Sequence, residues 1–183
     1  MGSKAKIAEG PRLFIRRSRA DDAPLLSSWL EDPEVRSYYG FGGAPAAGEK
    51  SQGPGGTFLI VAKDGDHPIG FIDLECLGFR YDITIAIGDG SYRGKGLGEE
   101  AMTLAIEYAF RELDWNHLGL QVFGHNERAI RLYRRLGFRT RRRMKDRILF
   151  EGKRYDWLFM VLARDRWDAR NAADPDPEGA GKE

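Results

Sequence analysis

The stretch Tyr92-Arg93-Gly94-Lys95-Gly96-Leu97-Gly98-Glu99-Glu100-Ala101 joins an apolar, β-branched run, Ile83-Thr84-Ile85-Ala86-Ile87, to a helical pattern. In that pattern Leu97, Ala101, Leu104, Ala105 and Tyr108 recur on one apolar face. A strand, a glycine turn and a helix start in this order make an anion site. The first N–H groups of a helix have no internal partner, and the helix dipole adds about half a positive charge there. Glycines at 94, 96 and 98 remove side chains that would keep a phosphate from those donors. The segment therefore reads as the site of a phosphorylated ligand.

Two common phosphate sites are excluded. The nucleotide-hydrolase loop needs G-x-x-x-x-G-K-[ST], which is absent from the chain. A Rossmann site wants an acidic residue ending the next strand, roughly 20 residues on. The next strand candidate, residues 117–122, runs instead into Phe123-Gly124-His125-Asn126, and Asp114 precedes it.

A second motif follows that strand: Asn126-Glu127-Arg128-Ala129-Ile130-Arg131-Leu132-Tyr133-Arg134-Arg135-Leu136-Gly137-Phe138. Asn126 suits an N-cap and Gly137 a helix stop, with Ala129, Ile130, Tyr133 and Leu136 on one face. With both motifs in view, the chain resembles the GNAT superfamily of acetyl-CoA-dependent N-acetyltransferases. The matching regions are [QR]-x-x-G-x-[GA] over residues 93–98 and N-x-x-A-x-x-x-Y-x-x-x-G-F over residues 126–138. Within the superfamily it looks closest to the RimJ/RimL-like N-terminal protein acetyltransferases. They share an opening like Trp29-Leu30-Glu31-Asp32-Pro33-Glu34-Val35 and a closing hairpin like residues 148–156. Aminoglycoside acetyltransferases share a similar opening.

The chain has 183 residues, with 29 basic and 28 acidic side chains, so it is one domain without a global charge bias toward nucleic acid or anionic membrane. A lone cysteine, Cys76, excludes an internal disulfide framework and reads as a buried, inert thiol in a strand. His67, His117 and His125 show no metal-ligand spacing, so no metal is expected. With no apolar run of membrane-spanning length and no signal-peptide core, the expectation is a cytoplasmic protein.

Strands are expected over residues 13–17, 57–63, 68–77, 81–87, 117–122, 139–150 and 155–163, with a hairpin turn at Asp64-Gly65-Asp66. Asp21 or Asp22 is expected to cap a helix through Trp29 and Leu30, which Asp32-Pro33 ends or bends. Residues 40–56, rich in glycine, read either as a flap over the acceptor side or as a degraded second helix. The domains expected are a flexible N-terminus (1–10), one acetyltransferase domain (11–168) and a disordered acidic tail (169–183). The resemblance implies an α/β fold with a mixed, mostly antiparallel seven-stranded sheet flanked by helices. It also implies a V-shaped splay between the fourth and fifth strands.

The resemblance further implies a division of labour. Arg93, Gly94, Lys95, Gly96, Leu97 and Gly98 would hold the diphosphate of acetyl-CoA, with Arg93 or Lys95 adding charge. The strand backbone at Ile85 and Ile87 would hold the pantetheine arm, and Asn126 would bond the same cofactor. Tyr133 is the candidate acid that protonates the departing thiolate. For the base, Asp82 stands first, with Glu75 and Asp73 alternating on the neighbouring strand. An α-amine with pKa of about 7.7–8.0 needs a weaker base than a lysine-type amine at about 10.4. Glu34, Tyr38, Tyr39 and Asp73 would make the acceptor side acidic and aromatic, which suits a cationic amine.

The RimJ/RimL-like resemblance implies a protein N-terminus as acceptor, with an aminoglycoside or polyamine as alternative. No Cys/His or Ser/His constellation presents itself, which favours direct transfer over an acyl-enzyme. A non-catalytic acyl-CoA-binding module is the competing class, and a longer acyl donor remains open. Arg139, Arg141, Arg142, Arg143, Lys145 and Arg147 read as a solvated face before they read as an RNA contact. Aromatic residues in the C-terminal hairpin are compatible with a homodimer.

Overall fold

The computed structural model describes residues 6–39 and 55–173. Apolar side chains in the strands alternate between two covered faces, and that alternation sets the layers. Among the described residues, one sheet of eight strands runs in the order β1-β2-β3-β4-β5-β6-β8-β7. Its strands are β1 (Lys6–Glu9), β2 (Leu13–Arg17), β3 (Gly56–Ala62), β4 (His67–Leu77), β5 (Arg80–Ile87), β6 (His117–Phe123), β7 (Arg139–Phe150) and β8 (Lys153–Ala163). Neighbouring strands are antiparallel except β5 and β6, which are parallel.

Helix α3 (Leu97–Arg111) covers one face. Its apolar stripe, including Ala101, Met102, Ala105, Ile106 and Phe110, packs on Leu13, Ile15, Phe58 and Ile60. Helix α1 (Ala23–Glu31) covers the other, where Leu26 and Trp29 meet Phe14, Leu59, Val61 and Phe71. Every residue of β3 is buried, as expected for a strand covered on both sides. Burying each of these large side chains is worth about 1.5–3 kcal/mol, so the two apolar faces dominate the fold's stability.

The structure departs from expectation in five places. An eighth strand, β1, occupies part of the presumed flexible N-terminus, where it covers the free edge of β2 with Ala8 opposite Ile15. Glu9 ties it to Lys63, just past β3, at 2.7 Å. A second helix, α2 (Pro33–Tyr39), follows α1 after a single-residue break. Pro33 forces Asp32 out of the helical region, to φ −60° and ψ 121°. At the C-terminus α5 (Arg164–Ala173) extends into the presumed disordered tail and is fastened by Trp167, whose indole donates to Glu107 at 2.5 Å. Asp22 does not cap α1 with its side chain. Its carboxylate instead takes a two-pronged bond from the buried Arg16, at 2.8 and 2.9 Å. Cys76 is exposed, because the last three residues of β4 run beyond the layers that cover the sheet. Most of the proposed flap lies outside the described residues.

Candidate active site

β5 and β6 are bridged at Asp82 and Gly119 and diverge beyond that point. The splay expected between the fourth and fifth predicted strands is thus present, one number later. A cavity of about 1070 Å³ opens along it. That exceeds the ~300–1000 Å³ usual for a single small ligand, so cofactor and acceptor can share it. Residues 83–87 of β5 form one wall and residues 120–123 of β6 the other. Gly94, Gly96, Leu97 and Gly98 close one end, and helix α4 (Glu127–Arg135) presents Ala129 and Tyr133 from the side of β6.

Gly94 and Gly96 sit at φ +81° and +79°, a region that side chains avoid, and among the described residues nothing beyond its chain neighbours lies within 4 Å of where a Cβ at Gly94 would stand. Gly96 is the N-cap of α3, so the free N–H groups of that helix's first turn open into the cavity wall. An open turn of this kind fits a diphosphate. Glu99 in the same first turn would oppose an anion, but Arg135 reaches across from α4 at 2.7 Å and holds its carboxyl below the usual range.

Asn126 caps α4, its side-chain oxygen accepting from the Ala129 N–H at 3.1 Å. The same residue lines the cavity, so its amide nitrogen is available to a ligand while its oxygen serves the helix. Tyr133 lines the cavity next to Phe138, with ring centroids 5.9 Å apart. Among the described residues nothing bonds to its hydroxyl, and burial pushes that hydroxyl up to about 12. It therefore stays protonated through neutral pH, the state an acid needs.

Asp82 is buried, and desolvation raises its pKa against the opposing charge of Arg80. Arg80 Nε lies 3.0 Å from one carboxylate oxygen, Oδ2, and the Gln121 side chain also favours the charged form, while the other oxygen, Oδ1, is fully buried. Glu75 stands directly opposite on β4, and both carboxylates line the cavity.

Four expected site residues fall differently. Arg93 turns its guanidinium inward, to Ile87 O at 2.9 Å, Gly88 O at 2.8 Å, Asp32 at 2.9 Å and Glu34 at 2.6 Å. Its charge is taken up within the protein rather than held over the turn. Lys95 is not brought into the cavity wall; its ammonium lies over the Tyr92 ring at 5.2 Å. Asp73 is buried and accepts from the Thr57 hydroxyl at 2.5 Å, away from the cavity. Glu34 does line the cavity, but with one oxygen committed to Arg93. The side chains of Tyr38 and Tyr39 lie outside the described residues.

The sequence reading missed Arg128, Arg131 and Arg135, which line the cavity from α4. Their spacing of three and four residues along one helix face was the available signal. The described residues contain no group of three or more potential metal ligands and no helix long and apolar enough to cross a membrane.

Comparison with known proteins agrees with this geometry. Residues 12–139 match the family model described as an acetyltransferase (GNAT) domain. The uncharacterized N-acetyltransferase p20 of Bacillus licheniformis is 29% identical over 84% of this chain and 94% of its own length. Streptothricin acetyltransferase of Streptomyces lavendulae is 34% identical over 68% of this chain and 62% of its own. A spermidine N-acetyltransferase from Vibrio cholerae, solved with CoA and spermine, shares the fold at TM-score 0.73 and 18% identity, covering 85% of this chain and 98% of that one. With more than half of its length matched to that family, the chain belongs to the GNAT acetyltransferases and is an acetyl-CoA-dependent N-acetyltransferase.

Proposed function

We propose that the protein acetylates a primary amine of a small cationic molecule in a ternary complex. The observation that carries this reading is the Glu75–Asp82 pair, two carboxylates directly opposite each other on adjacent strands and facing one cavity. Arg80 offsets one of the two carboxylates, so the pair with its arginine keeps one negative charge, which a bound cation balances. The names of the streptothricin and spermidine acetyltransferases point to acceptors of the same chemical class.

Bound acetyl-CoA supplies the acetyl group as a thioester. The chain's residues then manage two protons. Asp82, with its raised pKa, takes the proton of the attacking amine as the C–N bond forms. Tyr133 gives its proton to sulfur as the C–S bond breaks, and regains one from solvent. The first α3 amides and Asn126 hold the cofactor in place for that exchange.

A thiol-release assay with acetyl-CoA tests the acceptor against spermidine, streptothricin, kanamycin and peptides with free Ala or Ser N-termini. Turnover of a small polycation is expected. Glu75→Gln should raise the KM for that polycation by about tenfold and leave the KM for acetyl-CoA unmoved. Turnover of the peptides alone would overturn the proposal in favour of a protein N-terminal α-amine, the acceptor that the RimJ/RimL-like opening suggests.

A further inference from the structure

Arg93 belongs to the cofactor turn by position and to the acceptor side by contact. Its neighbours in sequence, Gly94 and Gly96, carry the left-handed backbone that forms the anion cradle. Its guanidinium leaves that cradle and grips two other parts of the molecule. Nε and one Nη take the carbonyls of Ile87 and Gly88, where β5 ends. The Nη groups also take the carboxylates of Asp32 and Glu34, at the start of α2. Burial works against the guanidinium's charge, but the two carboxylates outweigh it and hold the group above its ordinary pKa.

Asp32 completes the connection. Its Oδ2 receives Arg93 at 2.9 Å, while its Oδ1 receives the N–H of Glu34 at 2.7 Å and, more weakly, that of Val35 at 3.4 Å. Its backbone carbonyl accepts from Arg36 at 2.9 Å. The first turn of α2 is therefore anchored on one residue, and that residue is anchored on Arg93. Glu34 and Val35, in that same turn, line the cavity. An isolated helix of seven residues is too short to hold itself in water, so its placement depends on such anchors.

We infer that Arg93 is a positioning residue that transmits occupancy of the cofactor turn to α2 on the acceptor side. When the turn's free amides close on a diphosphate, the Gly94–Gly96 backbone, until then held at Lys95 O by Arg12, becomes fixed at the ligand as well, and with it the root of the Arg93 side chain. The four-acceptor grip then fixes Asp32, and Asp32 fixes the helix that borders the acceptor. The inference depends on the cofactor and not on which amine is acetylated.

Amide hydrogen exchange of the whole protein, with and without coenzyme A, tests it together with the coenzyme A Kd from calorimetry. Arg93→Lys keeps the positive charge but loses the planar fork that serves four acceptors. Asp32→Asn keeps a helix cap and weakens the ionic grip. In the unaltered protein, coenzyme A should slow exchange at the amides of Glu34, Val35 and Arg36. Both variants should lose that protection while the coenzyme A Kd moves by less than about tenfold. Circular dichroism identifies a variant that has not folded, and the other variant then decides. Protection that survives both substitutions, or that never arises in the unaltered protein, would overturn the inference. A Kd loss beyond about tenfold in Arg93→Lys, with Asp32→Asn unaffected, would return Arg93 to the cofactor alone.

Discussion

Asp82 faces Gly119 across the bridge between β5 and β6, and a Cβ at 119 would come within 2.7 Å of the Asp82 Oδ1. The same atom would stand 2.9 Å from the Phe159 ring. The absence of a side chain at 119 thus gives the carboxylate its place at the apex of the splay. Gly119→Ala should displace Asp82, lowering kcat, and should cost about 1–3 kcal/mol of stability through overpacking. Steady-state kinetics and thermal unfolding check the two effects together.

Asp82→Asn separates catalysis from stability. Loss of the base should lower kcat by about 10²–10⁴-fold. The folded pKa of Asp82 is raised, so its contribution to stability is full below the unfolded value and is lost as pH rises through the folded one. At neutral pH the buried charge is a burden, and the Asn variant should unfold at the same temperature or higher. In the unaltered protein, kcat/KM should fall on the acid side with a midpoint above the ordinary carboxylate range. A melting temperature for Asp82→Asn well below that of the parent at pH 7 would contradict this account.

Tyr133→Phe removes a hydroxyl that burial holds at about 12. kcat should drop by about 10²-fold or more while coenzyme A binds as before. Because the hydroxyl stays protonated until pH approaches that value, Tyr133 should add no alkaline limb to the rate profile near pH 9. Unchanged turnover in the Phe variant would remove Tyr133 from the mechanism.

Asn126 carries two functions that substitution can divide. Asn126→Ala should lose about 1 kcal/mol of stability with the cap, along with cofactor affinity. Asn126→Asp keeps the cap acceptor, so it should melt like the parent, but it loses the amide donor and sets a negative charge beside the phosphates. Its coenzyme A affinity should therefore fall without a matching stability loss. Equal losses of stability in the two variants would assign Asn126 to something other than the cap.

The local features of this site were legible in the sequence because they act within a few residues. Glycines with left-handed backbone at 94 and 96 and the Asn126 cap announce themselves by residue type and neighbours. The role of Arg93 was not legible, since its carboxylate partners lie 59 and 61 residues away and only the fold brings them to it. Asp73 shows the same limit: alternation placed it on the right face of β4, but Thr57 on β3 buries and occupies it. The extent of the sheet was misjudged at β1, where a four-residue strand gains its stability from the edge of β2 and not from its own pattern.

Among the described residues β7 ends the sheet, and it carries Arg139, Arg141, Arg142, Arg143, Lys145 and Arg147. Its register with β8 breaks twice, with Asp146 at φ +51° in the second break. A strand edge left bare offers its unpaired amides to any other exposed strand, and charge and irregularity are the usual defence. The arginine run therefore bears on how these molecules meet one another in a concentrated solution. Neutralising the run should therefore show itself in aggregates before it shows in turnover.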